Sequence, residues 1–554
     1  MVRVLRVGVL ACWLVLVGGL VTAFAAVTPG WECVPAAAGS AVVSGGTGST
    51  PSCGLGSTAV LAPTYVASGV GGEPTVEFSS VNVQVVSGSG ATAGAVNGEG
   101  NLIVGYAENG NDHKQTGSND LIVGTNNGWS GYGEIVAGVN NQVSGDYAAA
   151  FGATNTASGE YSIVAGHVNT ASGIWASVLG GQDNTASGTT ASIEGGQDNV
   201  ASGSMSAILG GAFNAAQAVS GTVAGGCSGL AGTGTVSANS ACTNATSDDG
   251  DFVTVAGGIG NQSDGQASAV SAGVMNTASG PNGAWVGGGY SNTASGDYSA
   301  VTGGAYNTAS GTSDSVTGGL LNTASGLQGS VTGGWSNTAS GENGSVTSGY
   351  GNTASGYESS VTAGGNNTAS GAMSSVTGGV LNQAHADYSV VEAGCANLAG
   401  FGGFSVNSAC TETTYGASDY ASVGGGVGNQ ADGLSSVVSG GLFNVASNGF
   451  AAVAGGCSNL AGAGTASVSG DCASASFPDD FVSVAGGIGN QSDGQASAVS
   501  AGNMNTASGS QGAWVGGGSD NSSSGSATSV LGGDAESLTG PTNESRIGPT
   551  PFGP

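Results

Sequence analysis

From Asn292 onward the chain repeats one pattern of hydrophobic and polar positions with a constant period of fifteen. Asparagine recurs at this interval, at positions 292, 307, 322, 337, 352, 367, 382 and 397. The copy at 292–306 reads NTASGDYSAVTGGAY, and it contains two short stretches in which inward and outward residues alternate. Asn292 and Ala294 then share one face of a first strand, and Ser299 and Val301 share one face of a second. Each repeat therefore predicts two short strands joined by glycine-containing corners.

Two strands and two corners in so short a repeat are typical of one coil of a β-solenoid. We expect Gly296 and the Gly303-Gly304 pair to supply the positive φ angles that tight corners require. Repeats one residue shorter begin at Asn127, and about 27 units follow one another up to Asn521. Stacked about 4.8 Å apart, such coils would form a rod roughly 130 Å long. The predicted fold is all-β, a parallel β-roll or β-solenoid of about 27 coils with 14–15-residue repeats.

The composition agrees with a repetitive β structure and limits the possible partners. Glycine accounts for 110 of 554 residues and charged residues for 7%, whereas ordinary globular proteins have about 7% glycine and about 25% charged residues. Only 4 Lys and Arg oppose 34 Asp and Glu. Because cationic side chains bind phosphate backbones and anionic lipid surfaces, the composition excludes nucleic acid and anionic membranes as partners.

The N-terminus has the pattern of a secretory signal peptide. Arg3 and Arg6 precede an apolar run, and the small residues Ala23 and Ala25 mark a cleavage site, so residues 1–26 are expected to be removed. No later stretch is a continuous apolar run of the roughly 18 residues that a membrane span needs. We therefore expect a secreted chain, extracellular or at the cell surface, with no transmembrane segment after cleavage.

The rest of the chain divides by composition and repeat register. The stretch NLIVG at 101–105 recurs as NDLIVG at 119–124, which indicates stronger apolar pre-repeats ahead of the regular coils. The open end of a solenoid needs a cap. The predicted segments are a Gly/Ser/Pro-rich N-terminal segment at 27–72, an N-terminal β cap with pre-repeats at 73–126, the repeat region at 127–525 and a flexible tail at 526–554.

Cleavage leaves eight cysteines, an even number that predicts disulfides in an exported chain. Six of them form three pairs, and the two cysteines of each pair are one repeat period apart in sequence. Each of these six cysteines lies two positions before the asparagine position of a repeat. On that register each pair occupies one corner of two consecutive coils, within the roughly 4.4–6.8 Å Cα separation of a disulfide. We expect three staples between coils and a fourth pair by elimination, namely Cys227–Cys242, Cys395–Cys410, Cys457–Cys472 and Cys33–Cys53.

The repeats resemble the head repeats of trimeric autotransporter adhesins, the YadA-like head family. The motif is similar to G-x-x-S-x-A-x-G-x-x-N-x-A-S-G, as in residues 296–303 followed by 307–311, with Val in the usual Ala place and a repeat that is one position longer than the common one. The resemblance covers about 127–525 and implies a left-handed β-roll, a homotrimer, and an often adhesive role on a cell surface. We expect neither the coiled-coil stalk nor the membrane anchor of that family in this chain.

Groups for catalysis or metal binding are sparse. No Ser or Asp partner can be predicted for His167 or His385, His113 is the only other histidine, and no glycine-rich run opens a helix. We therefore expect no enzymatic activity and no cofactor. Two acidic corners lack the calcium β-roll motif, so solvated loops are favoured over a calcium site for Asp249, Asp251, Asp264, Asp479, Asp480 and Asp493.

Outward residues provide the remaining functional hypotheses. Stacked threonines, beginning with Thr293 and Thr308, predict hydroxyl ladders that suit either ice binding or plain cross-strand hydrogen bonding. Variable corner residues predict a binding surface, at Tyr161, Trp175, Tyr298, Trp335, Tyr357 and Tyr388. The favoured function is an exported, non-enzymatic rod that acts in cell-surface attachment through an unknown surface or matrix ligand. A passive structural or matrix filament is the main alternative, and an ice-binding solenoid is the lesser one.

Overall fold

The computed structural model describes most of the chain after residue 63 and short pieces before it. The described residues are 31–35, 43–45, 57–61, 64–78, 82–109, 113–233, 235–237, 240–243, 251–400, 418–462, 481–540 and 544–547. The predicted signal peptide lies outside these ranges. The chain divides into two compact units, Met1–Val86 and Ser87–Pro554.

The first unit contains short antiparallel sheets. Trp31–Pro35 pairs with Val43–Gly45 on one side and with Ser57–Leu61 on the other. Thr64–Val66 pairs antiparallel with Thr75–Glu77. A single 3-10 turn at Val70–Gly72 is the only helical element among the described residues.

The second unit is a parallel β-solenoid of about 26 turns, as the repeat predicts. We name its two sheets after the residues that most coils place in them. The Ser-Val sheet begins with longer strands and continues in two-residue strands, namely Leu102–Val104, Leu121–Thr125, Ile135–Val139, Ala149–Ala153, Ile163–His167 and then Ser177–Val178 through to Ser545–Arg546. The Thr-Ala sheet consists of two-residue strands from Gly128–Trp129 to Ser537–Leu538.

The regular central coils show the repeat most clearly. Their strands are Thr293–Ala294, Ala300–Val301, Thr308–Ala309, Ser315–Val316, Thr323–Ala324, Ser330–Val331, Thr338–Ala339, Ser345–Val346, Thr353–Ala354, Ser360–Val361, Thr368–Ala369 and Ser375–Val376. Residues one period apart pair in register, as Thr293 does with Thr308. We number each coil from its asparagine, so that 292–306 supplies positions 1 to 15. Single-residue bridges at position 14 add a third ladder, from His167 to Asp534.

The interior is filled by small side chains in columns. Ala294 and Asn292 at positions 3 and 1 are fully buried, and so are Ser299 and Val301 at positions 8 and 10. The predicted inward faces are therefore confirmed. Because the coil is narrow, one Ala and one Val per turn leave little space between the two sheets, and these side chains form continuous apolar columns along the stack.

The corner residues that have positive φ angles are only in part those that were predicted. Gly304 has a φ of 87°, as expected, but neither Gly296 nor Gly303 has a positive φ. A Cβ at Gly296 would collide with the carbonyl oxygen of Gly311 in the next coil, so close stacking requires glycine there. The other positive φ angles belong to Tyr298 at 53° and Tyr306 at 55°.

Three coils are about twice the expected length, which corrects the predicted register. Thr222 pairs with Thr254, Val390 with Ser422, and Ala452 with Ser483, so the stack skips about one whole repeat at each place. The chain leaves the stack after a Leu-Ala-Gly sequence at 230–232, 398–400 and 460–462. In the first of these three excursions, Thr235–Ser237 and Ser240–Thr243 form a small antiparallel hairpin.

The excursions change which residue stacks on each cysteine of the predicted inter-coil staples. The residue stacked on Cys227 is Ile259, and not Cys242. Cys395 stacks on Val427, and Cys457 on Ile488, for the same reason. Among the described residues, these three cysteines are free thiols. The side chains of their proposed partners lie outside the described part of the structure, as do those of the fourth pair, and these are Cys242, Cys410, Cys472, Cys33 and Cys53.

The stack also extends beyond the predicted repeat region at both ends. Leu102–Val104 pairs in parallel with Leu121–Thr125, so the pre-repeats assigned to the cap at 73–126 are the first coils of the Ser-Val sheet. At the other end Ser529–Val530 pairs with Ser545–Arg546. The predicted tail at 526–554 therefore begins too early, because both ladders continue past residue 525.

Candidate functional site

A buried asparagine ladder holds the coils together. In the coil of Asn337, the fully buried side chain donates from Nδ2 to the carbonyl oxygens of Gly333 at 2.8 Å and Gly349 at 3.0 Å. Its Oδ1 accepts the backbone N–H of Asn352 in the next coil at 3.0 Å. The same arrangement recurs from Asn127 to Asn521 with one interruption at Gly229, whose backbone N–H still donates to Asn214 Oδ1. Buried backbone groups at this corner therefore find partners. The sequence placed asparagine inside but did not reveal this ladder.

Hydroxyl groups form regular rows on both sheets. Thr293 and Thr308 stack in register and are half-buried on the outer side of the Thr-Ala sheet. On the Ser-Val sheet the Ser315 hydroxyl donates to Ser330 Oγ at 3.2 Å. Position 11 of that sheet adds a row of exposed threonines, namely Thr302, Thr317, Thr332, Thr347, Thr362 and Thr377. The predicted threonine ladder is therefore present.

An exposed row of apolar side chains follows the third ladder, and we call it the apolar stripe. Its nine large members are between 40% and 57% exposed, and they are Ile259, Tyr290, Leu320, Trp335, Tyr350, Val380, Val427, Leu442 and Ile488. From Ala212 to Ser519 the residues in this ladder include no Asp, Glu, Lys or Arg. Cys227, Cys395 and Cys457 belong to the same ladder. Sequence reasoning recognised only Trp335 among the stripe residues.

Aromatic rings stack along the corner at position 7. The rings of Tyr147 and Tyr161 are 5.3 Å apart and nearly parallel, and Trp175 continues the stack at 6.0 Å. All three residues have φ angles near 60°, a conformation that costs a bulky residue about 1–2 kcal/mol. The six variable corner residues of the sequence analysis are all exposed, namely Tyr161, Trp175, Tyr298, Trp335, Tyr357 and Tyr388.

The histidines take part in hydrogen bonds on the surface of the coils. His385 Nδ1 lies 2.8 Å from the Ser370 hydroxyl of the preceding coil, a partner that the sequence did not predict. His113 contacts Asn140 Oδ1 and Gln142 Nε2, both at 2.8 Å. The carboxylate of Asp387, near His385 in sequence, accepts the backbone N–H of Ala372.

The acidic corners bind neighbouring amide groups. Gln262 Nε2 donates to Asp264 Oδ2 at 2.9 Å, and Gln430 donates to Asp432 at 3.1 Å. Burial raises the pKa of Asp264, and it raises that of Asp432 to about 7. In the described ranges no group of three or more His, Cys, Asp or Glu could hold a metal ion. Three of the predicted corner acids lie outside those ranges, namely Asp249, Asp479 and Asp480.

Two further carboxyl groups lie inside the first coils, at position 8. Asp120 Oδ1 accepts the Glu134 N–H at 2.8 Å, and Glu134 Oε1 accepts the Gly131 N–H at 2.9 Å. The second oxygen of each carboxyl is buried without a hydrogen-bond partner. Burial is the main cause that raises the pKa of Asp120 to about 7 and that of Glu134 to about 8.

Comparisons with known proteins add no family to this description. Within the described ranges no helix is both long and apolar enough to cross a membrane. No protein-family model matches the chain, and no curated protein matches it either. What the geometry defines is a parallel β-solenoid with an apolar stripe, hydroxyl rows and an aromatic corner.

Proposed function

We propose that this chain is an exported, non-enzymatic rod that acts in cell-surface attachment, as the YadA-like heads it resembles do. The rigid stack of about 26 turns repeats its outward positions at a fixed spacing, and a fixed scaffold with variable outward residues is suited to binding. The observation that carries the proposal is the apolar stripe, because long exposed apolar surfaces on exported proteins mark sites of association.

The stripe favours association between copies, and we propose a homotrimer. At roughly 100 Å² of exposed surface for each side chain, its nine residues present about 900 Å², close to the ~800 Å² that each partner contributes to a stable interface. After loss of Arg3 and Arg6 with the signal peptide, each copy keeps 2 Lys and Arg against 34 Asp and Glu, a net charge of −32, and such copies repel one another. A ladder without acidic residues is therefore a favourable line of approach, whereas the position 6 edge carries Asp251, Asp297 and Glu342.

Binding to cells and matrix separates attachment from a passive filament. Purified rods, labelled at the N-terminus, are titrated onto whole cells and onto extracellular matrix coated on a surface. Saturable binding that unlabelled rods displace supports attachment. Signal that grows linearly with concentration, or no signal, favours the passive structural filament and contradicts the proposal.

The hydroxyl rows support ice binding as a second candidate. Thr302, Thr317 and Thr332 follow strands that pair in register, so their hydroxyl groups repeat at the coil spacing of about 4.8 Å. A gap between the melting and freezing points of a solution of the rods would support this function. Freezing at the melting point would exclude it and leave the attachment proposal unaffected.

A further inference from the structure

Two tryptophans on the Ser-Val sheet differ from all other outward residues of that sheet in the regular coils. Trp285 and Trp514 pair with position 9 of the neighbouring coils, where the strands have Ala269, Ala300 and Ala498. They stand one residue later in their own coils, which are one residue longer than the regular ones. They stand at equivalent places of a duplicated segment, in the sequence GAWVGGG at 283–289 and again at 512–518. Small residues flank both rings at this position, namely Ala269 and Ala300 beside Trp285 and Ala498 and Ser529 beside Trp514. The exposed Leu531 lies two residues after Ser529, on the coil that follows Trp514.

Each indole is held flat by the same two contacts. Trp285 Nε1 donates to Ser271 Oγ in the preceding coil at 3.1 Å, and Trp514 Nε1 donates to Ser500 Oγ at 3.0 Å. At the other end of the ring, a Cβ on Gly287 would lie only 2.9 Å from Trp285 Cη2. The ring therefore lies across the position 11 column, and glycine is needed beneath it.

The second copy repeats this packing in detail. A Cβ on Gly516 would lie 2.8 Å from Trp514 Cη2, so this ring also rests on a residue without a side chain. The six-membered end of each indole lies over a glycine of the sheet, Trp285 is 38% exposed, and Trp514 is half-buried. A hydrogen-bonded ring that cannot rotate offers its open face at little cost in conformational entropy.

The surroundings of the rings select the class of ligand. The outward residues beside Trp285 are small and uncharged, and those on the next coil include the exposed hydroxyl of Thr302. An electron-rich aromatic face attracts C–H groups that carry a slight positive charge. A sugar ring has such an apolar face together with a rim of hydroxyl groups. Because alanines flank Trp285 on both neighbouring strands, a flat, extended sugar chain fits there better than a compact ligand.

We propose that Trp285 and Trp514 are two stacking platforms for a neutral, extended polysaccharide of β-1,4-linked sugars. The inference deepens the attachment function proposed above, on which it rests, by naming a class of ligand. Both rings belong to one sheet, 13 strand steps apart, which corresponds to about 62 Å. One long polymer chain can therefore engage both platforms, and the two contacts then reinforce each other.

Binding to cellulose tests the platforms. The full mature chain is mixed with microcrystalline cellulose, and cellohexaose is titrated against its tryptophan fluorescence. We expect the wild type to bind both and the W285A/W514A double variant to bind cellulose at least tenfold more weakly, with each single variant in between. The S271A/S500A variant, which keeps the rings but releases their N–H groups, should bind a few-fold more weakly.

Controls distinguish the platforms from general stickiness and from contacts between copies. Y106A removes an exposed aromatic ring that belongs neither to the aromatic corner nor to the apolar stripe, and it should leave cellulose binding unchanged. The platform proposal is overturned if the wild type does not bind cellulose, if Y106A weakens binding as much as the double variant, or if the double variant loses subunits by light scattering. Saturable binding to cells without binding to cellulose would refute the platforms alone and leave the attachment function standing.

Discussion

Replacing one asparagine of the buried ladder measures how strongly that ladder holds adjacent coils. In N337A the N–H of Asn352 and the carbonyl oxygen of Gly333 lose their partner, whereas the carbonyl oxygen of Gly349 keeps the backbone N–H of Trp335 at 2.9 Å. Asn337 is fully buried, so no bulk water replaces it. Each buried polar group left unsatisfied costs about 1–3 kcal/mol, which gives roughly 2–6 kcal/mol for the two groups.

This loss is confined to a few coils, because each coil of a solenoid contacts only its neighbours. The assay is therefore hydrogen exchange by residue rather than a single melting temperature. With a factor of ten for every 1.4 kcal/mol, exchange of the Asn352 amide should become roughly 10–10⁴ times faster, and the effect should fade within two coils. T338A changes the adjacent, half-buried outward residue and should alter exchange less than threefold.

Two results would refute this reasoning. The first is exchange of the Asn352 amide in N337A within threefold of the wild type, which would mean that the ladder contributes little. The second is protection that falls equally along the entire stack, which would show that the coils unfold as one unit. The variant N337D adds a further comparison, since its carboxylate accepts the Asn352 N–H but cannot donate to the two glycine carbonyl oxygens.

Three further predictions concern the first coils, the excursions and the corners. Because burial raises the pKa values of Asp120 and Glu134 to about 7 and about 8, the folded state binds more protons than the unfolded state between about pH 4 and 8. Protection of Leu121–Thr125, corrected for intrinsic exchange, should therefore fall as the pH rises through this window, and E134Q should remove about half of the change, because Asp120 still titrates. The pairing Cys227–Cys242 remains a prediction. It would close a loop of about 15 residues and so stabilise the fold by about 3 kcal/mol. Peptide mapping without reduction should recover this pair, and linkage of Cys227 to any other cysteine would contradict it. G319V places a side chain at a φ of 91° and against the carbonyl oxygen of Gly334, so limited proteolysis should cut the variant near this coil. In the control variant G318A the new Cβ meets no neighbouring atom, so this variant should resist proteolysis like the wild type.

The period and the inward faces could be predicted because each follows from local alternation. The alternation of the strand pattern places Asn292, Ala294 and Val301 on the inward face, and the structure confirms this. The reason for glycine at Gly296 could not be predicted in the same way. It depends on a carbonyl oxygen of the next coil, which the sequence of one coil does not contain.

The excursions were missed because their sequences preserve the spacing of the repeat. Cys242 follows Cys227 by one repeat period, as if the stack continued, yet the chain has already left it. The Leu-Ala-Gly sequence at which the chain leaves the stack could have indicated each excursion. Leu230 stands where most coils have an outward Thr and is fully buried, and Gly232 has a φ of 137° where other coils have Ser.

The surfaces could be predicted only in part, because a surface joins residues that no short motif contains. The corner aromatics were evident as variable positions, and Tyr161 and Trp175 indeed stack. The apolar stripe is formed by one residue from each coil, with a different side chain in most of them, so no single repeat reveals it. The Trp285 platform likewise depends on Ser271 of one coil and Gly287 of its own.

The mass of the rod in solution tests the central claim, that copies associate along the apolar stripe to form the attachment rod. Light scattering on the purified mature chain should give the mass of three chains at micromolar concentration. The L320E/W335E/Y350E variant should give the mass of one, while T317E/T332E/T347E, which adds the same charges to exposed residues of neighbouring coils, should remain trimeric. A wild type with the mass of a single chain, or a trimer that the stripe variant leaves intact, would contradict the account.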